Sequence, residues 1–144
     1  MKRHALSLIS LLSLLLMAGS AIAQTSNVRA NVPFNFTVGS KALPAGTYDI
    51  EGLSSSGANM LLVKARDGSG RMIVGSNAAE SVNGANKTKL VFNRYRDQYF
   101  LSEIWVEGAT HGRQLPKTSR EKELAKELAQ DLTNRRVEIV ASLY

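Results

Sequence analysis

The 144-residue chain carries 18 basic and 12 acidic residues, a formal charge of +6, and contains no cysteine. A disulfide framework and a lipid-modified cysteine are thereby excluded, so the fold must be held together by its core. A chain of this size is long enough for that, since it buries about two thirds of its unfolded surface.

Met1-Lys2-Arg3-His4 opens the sequence, an apolar run follows from Ala5 to Ala18, and Ala21-Ile22-Ala23 precedes Gln24. A charged start, a short apolar middle and a small-residue end are the parts of a secretory signal peptide. Ser7, Ser10 and Ser13 interrupt the apolar run, which falls short of the ~20 residues that span a bilayer. Removal of residues 1–23 is therefore expected, leaving 24–144 as a single β-rich domain that is secreted or periplasmic. Its charge falls from +6 to +4 with the loss of Lys2 and Arg3. No later segment is apolar enough for an integral membrane span.

Gln24 to Ala30 is polar and reads as a frayed start. Val32, Phe34, Phe36 and Val38 alternate with Pro33, Asn35 and Thr37, the period of a half-buried strand. Gly39-Ser40-Lys41 and Leu43-Pro44-Ala45-Gly46 are turns, and Thr47 to Glu51 is a second strand. Beyond a Ser/Gly loop from Gly52 to Asn59, Met60–Ala65 and Arg71–Ser76 form a pair around the turn Asp67-Gly68-Ser69-Gly70. Asn77 to Lys87 reads as a connection rich in Ala, Asn and Gly.

Lys89 to Val106 is a hairpin with its bend at Arg96-Asp97. Leu90, Phe92, Phe100 and Ile104 share one parity; Val91, Tyr95, Tyr99, Leu101 and Trp105 share the other. A hairpin apolar on both faces should be covered on both. After a loop from Gly108 to Pro116, Thr118-Ser119-Arg120-Glu121 fits a capping box. Lys-Glu-Leu-Ala then occurs twice, placing Leu124, Leu128 and Leu132 on one stripe of an amphipathic helix at about 118–133. Val137, Ile139, Ala141 and Leu143 alternate as a last strand, with a loose tail as the alternative. The fold class expected is mainly β: a small antiparallel sandwich or open barrel of about six to seven strands, with the C-terminal amphipathic helix packed on it.

Three stretches in combination, VPFNFTVG from Val32, LPAGTY from Leu43 and NRYRDQYFL from Asn93, resemble a family of small secreted bacterial proteins of unknown function. GRQLP from Gly112, followed by a Leu-rich helix, belongs to the same pattern. The resemblance implies a β-rich exported domain and no particular activity. Members usually have glycine where this chain has Arg96, and glycine suits a turn that needs positive φ.

Chemical motifs are scarce. Residues 24–144 hold one histidine, His111, and no His/Cys/carboxylate cluster with metal-ligand spacing, so neither a metal nor a cofactor is expected. There is no phosphate loop and no nucleophile elbow, and no catalytic residue is assigned. Glu103 inside the apolar hairpin needs a charge partner, with Lys89 or Arg94 the candidates across the ladder. Arg94, Tyr95, Arg96, Tyr99 and Trp105 are the candidate ligand-binding residues, aromatic rings beside cations that suit a polysaccharide, an anionic envelope polymer or an envelope protein. Scattered basic residues and export argue against nucleic acid. Two functions follow: a non-enzymatic binding or envelope-associated module, of which a subunit of an extracellular assembly is a variant, and a small extracytoplasmic hydrolase using His111 or Glu103. The first is preferred, because the second needs those two residues in one concave site.

Overall fold

A computed structural model describes residues 27–53, 59–129 and 135–144. The signal peptide expected at 1–23 lies outside the described residues, as do Leu132 and the end of the helix expected near 133.

Eleven strands and one helix make up the described chain. They are β1 (Val28–Val32), β2 (Phe36–Val38), β3 (Lys41–Leu43), β4 (Gly46–Leu53), β5 (Met60–Ala65) and β6 (Arg71–Gly75), then β7 (Asn77–Glu80), β8 (Lys89–Tyr95), β9 (Gln98–Trp105), β10 (His111–Gln114), α1 (Ser119–Glu127) and β11 (Arg135–Leu143). Nine strands follow the order β3-β2-β9-β8-β11-β1-β4-β5-β6. All pairings are antiparallel except β2 with β9, which meet in parallel at Thr37 and Phe100.

The sheet curls into a near-closed barrel. β6 passes through the single residue Ser76 into β7, β7 pairs β10, and β10 pairs β9 through Arg113–Ile104 and Gln114–Glu103. At that end the circuit returns to its starting strand, by the chain through Ser76 and by hydrogen bonds elsewhere, which covers an edge. At the other end β3 faces β6 across a seam. Lys41 Nζ donates to the Arg71 carbonyl at 3.2 Å across it, and the Leu43 side chain fills the space above Gly70.

The strand count exceeds the six to seven expected, for identifiable reasons. Residues 28–30 are not frayed: Val28, Ala30 and Val32 point inward, and β1 lies between β4 and β11. The run Val32–Val38 is two strands rather than one, because Pro33 has no amide to give to a ladder. β7 and β10 occupy stretches that read as loops. Their residues are polar or small and pair through the backbone, so no hydrophobic period marks them.

Inside the barrel lie Val28, Val32, Phe36, Val38, Tyr48, Ile50, Val63, Leu90 and Phe92, each at most 3% exposed. Phe36 sets its ring edge against both Tyr48 and Phe92. Tyr48 carries its hydroxyl into this core and satisfies it by donating to the Pro44 carbonyl at 2.7 Å; burial pushes its pKa up.

The β8–β9 hairpin is covered on both faces. A bulge sets the detailed facing: Val91 pairs Glu103 while Phe92 pairs Leu101, leaving Ser102 as the extra residue. Leu101 and Ile104 consequently both face the barrel core, together with half-buried Tyr99, whereas Phe100 and Tyr95 face α1. The simple alternation read from the sequence had placed Phe100 with Ile104 and Leu101 with Tyr95, and the bulge breaks it.

Helix α1 docks Leu124 and its C-cap Leu128 on Tyr95 and Phe100. Thr118 Oγ1 accepts from the Glu121 amide at 3.2 Å as the N-cap should. The carboxylate of Glu121 does not complete a capping box. It turns to the sheet, where Asn93 Nδ2 donates to it at 2.8 Å and the Tyr95 hydroxyl at 3.4 Å. One acidic side chain in the first turn thus pins the helix to the hairpin and sits near the positive end of its dipole.

Candidate functional site

The last strand, β11, presents Val137, Ile139 and Ala141 to the core. Where β1, β4 and β5 meet β7, β9 and β10, the barrel opens into a cavity of about 300 Å³. Its inner surface is the open end of the core itself: Val28, Ile50, Leu61, Ile104 and Val106. Its rim is supplied by β10, with His111 and Arg113. A cavity of this size is at the small end of ligand pockets, and a barrel mouth is a common place to find one.

The rim is rigidly placed. Gly112 packs against the Trp105 ring so closely that an added Cβ would stand 2.6 Å from Trp105 Cε3 and 2.9 Å from the Ile104 carbonyl oxygen. Only glycine fits there, for want of space. Arg113 gives one N–H to Asn59 Oδ1 at 2.8 Å. Asn59 in turn accepts at its carbonyl from the Ser76 amide at 2.7 Å and the Ser76 hydroxyl at 3.0 Å. The guanidinium is thereby tied through Asn59 to the junction of β6 and β7. Leu115, the next inward residue of the GRQLP stretch, is buried in the core and anchors β10 from behind.

A second, polar hollow lies beside Trp105. Glu103 Oε2 accepts from Trp105 Nε1 at 2.8 Å and from Arg136 of β11 at 2.6 Å. The charge partner of Glu103 is therefore Arg136, not Lys89 or Arg94. Lys89 is taken by Glu138, at 2.7 Å, and that pair holds the Glu138 carboxyl below the usual range. β11 lies next to β8, an adjacency between residues far apart in the chain that spacing along the hairpin could not reveal.

The five aromatic and basic candidates do not form one site. Arg94 and Tyr99 are together near the hairpin tip, with the guanidinium 5.5 Å from the ring centroid. Tyr99 stacks on Phe34 at 3.9 Å. Arg96 is exposed at the bend, and its carbonyl accepts from Arg94 Nε at 2.6 Å. Tyr95 is buried under α1 on the opposite face, and Trp105 is 8% exposed at the far end of β9. Of these five, only Trp105 adjoins the barrel-mouth cavity, through Gly112.

Elsewhere the polar groups are structural. On the outer face of β1 and β4, Arg29 makes a two-pronged pair with Asp49, at 2.6 and 3.0 Å. Its guanidinium lies 4.1 Å from the centroid of the Tyr144 ring. The Tyr144 hydroxyl donates to Glu51, and its pKa is pushed up to about 12, chiefly by burial and then by that carboxylate. Among the described residues no group of three His, Asp or Glu could hold a metal ion, and no helix is long and apolar enough to cross a membrane.

Arg113, which lines the cavity, and Asn59, which holds its guanidinium from outside the lining, were missed by sequence reasoning. The one available signal was the position of Arg113 inside the GRQLP stretch, and a single cation in a polar segment does not declare what it faces. Comparison of the chain with protein-family models, curated proteins and solved structures finds no match.

Proposed function

We propose that this protein is an exported, non-enzymatic binding module that takes a small, largely apolar ligand into the mouth of its barrel. The observation that carries the reading is the cavity itself, about 300 Å³ in volume and walled by core residues that a more tightly packed barrel would bring together. The arrangement of titratable groups supports binding over catalysis. His111 lines this cavity and Glu103 lines the separate hollow beside Arg136, so the two do not stand as an acid–base pair in one site.

Calorimetric titration with 1-octanol tests the reading. We expect one saturable site with a negative heat-capacity change, the mark of apolar burial. Ala78→Phe, at the rim on β7, should abolish that heat while leaving the melting temperature within a few degrees. Binding that persists unchanged in the filled variant would dismiss the barrel mouth as the ligand site. Export belongs to the same proposal, resting on the tripartite pattern of residues 1–23, and intact-mass analysis of the secreted or periplasmic protein should find a chain beginning at Gln24.

A further inference from the structure

Resting on that reading, we infer that the natural ligand is a medium-chain monocarboxylate, its tail in the barrel mouth and its carboxylate held at the rim by Arg113. Three features of the cavity lead there. The inner wall is aliphatic, from Val28, Ile50, Leu61 and Ile104. The cavity's volume of about 300 Å³ is at the small end of ligand pockets, which suits a chain of octanoate's length better than a long lipid.

The rim is charged in one sense. Arg113 is its guanidinium, and among the described residues that line the cavity there is no carboxylate. A cation beside an aliphatic pocket without an acid in the lining attracts an anion and repels an amine.

The geometry of Arg113 favours a carboxylate over other anions. Asn59 occupies one of the five guanidinium donors and fixes the plane of the fork. The remaining edge matches two carboxylate oxygens, and a group already oriented loses less freedom on binding. A phosphate dianion calls for more cationic donors than a single guanidinium supplies.

Three probes of equal chain length decide the matter: octanoate, 1-octanol and octylamine, each titrated against the wild type, Arg113→Gln and Arg113→Lys at neutral pH. Octanoate should bind at least about tenfold more tightly than 1-octanol, the worth of one charge-assisted hydrogen bond, and octylamine should give no saturable heat. Arg113→Gln should lower octanoate affinity by about tenfold or more and leave 1-octanol unchanged. Arg113→Lys should recover only part of the loss, since lysine keeps the charge without the fork. Equal affinity for octanoate and 1-octanol, or an Arg113→Gln variant that weakens both alike, would overturn the carboxylate assignment and leave the apolar site standing. Failure of both to bind would overturn the site and the assignment together.

Discussion

Arg96 occupies the first position of the two-residue loop between Tyr95 and Gln98 with φ at 53°. That is the left-handed region, which costs a residue with a Cβ about 1–2 kcal/mol, at a position where hairpin loops favour glycine. Arg96→Gly should therefore raise stability by about 0.5–1 kcal/mol, part of the relief being offset by the freer unfolded chain. A denaturant midpoint that falls instead would mean that the arginine side chain contributes more than its backbone costs. Carboxylates set the acid limit. Arg29 holds Asp49 below its ordinary pKa, as Lys64 does Glu51 and Lys89 does Glu138. On acidification each group takes up its proton later in the folded chain than in the unfolded one. The stabilisation is complete above the unfolded value of about 4 and is lost as pH falls through the lower folded values. Urea unfolding followed from about pH 5 down to pH 2 should show stability declining, and Asp49→Asn should flatten that decline while lowering stability at neutral pH. An identical acid slope in the variant would mean that the Arg29 pair adds nothing.

Among the elements, the β8–β9 hairpin is what the others are built against, with the barrel core on one face and α1 on the other. Leu128 is 5% exposed where α1 meets Tyr95 and Phe100, so Leu128→Ala should cost ~2–5 kcal/mol by emptying that contact. An unchanged denaturant midpoint would show a helix that adds nothing to the fold. The hairpin, β5, β6, β11 and the helix were readable because their apolar residues recur with a strand or helix period. β7 and β10 were not, since Asn77–Glu80 and His111–Gln114 earn their place by backbone pairing to each other and by what lies beneath Gly112. The bulge at Ser102 was invisible for a different reason. Alternation assumes an unbroken pleat, and one extra residue reverses the facing of everything beyond it. The candidate site suffered most. Its lining comes from six strands, of which β1, β4 and β5 meet β7, β9 and β10 only through the closed topology, and its charged rim lies on a strand without a periodic signature.

At the scale of the whole molecule, the closing element is β11, which lies between β8 and β1 and pairs with both. Val28 opposite Leu143 joins the first described strand to the last, so the barrel cannot close until nearly the entire chain is present. Folding dominated by such distant pairings is slow, on the order of milliseconds to seconds. A chain ending at Ala129 would expose an unpaired edge on β8 and another on β1, and would lose the inward side chains of Val137, Ile139 and Ala141. We expect that shortened chain to lack cooperative unfolding. Trp105, the sole tryptophan, should emit in it as a water-exposed indole, whereas the full chain should emit to the blue until unfolded. A synthetic peptide spanning residues 135–144 should restore both signals when added, because the missing strand offers a pairing surface to each neighbour. A shortened chain that keeps a cooperative transition and a blue-shifted Trp105 would mean that β8 and β1 can close on each other, making β11 an accessory rather than the last stave of the barrel.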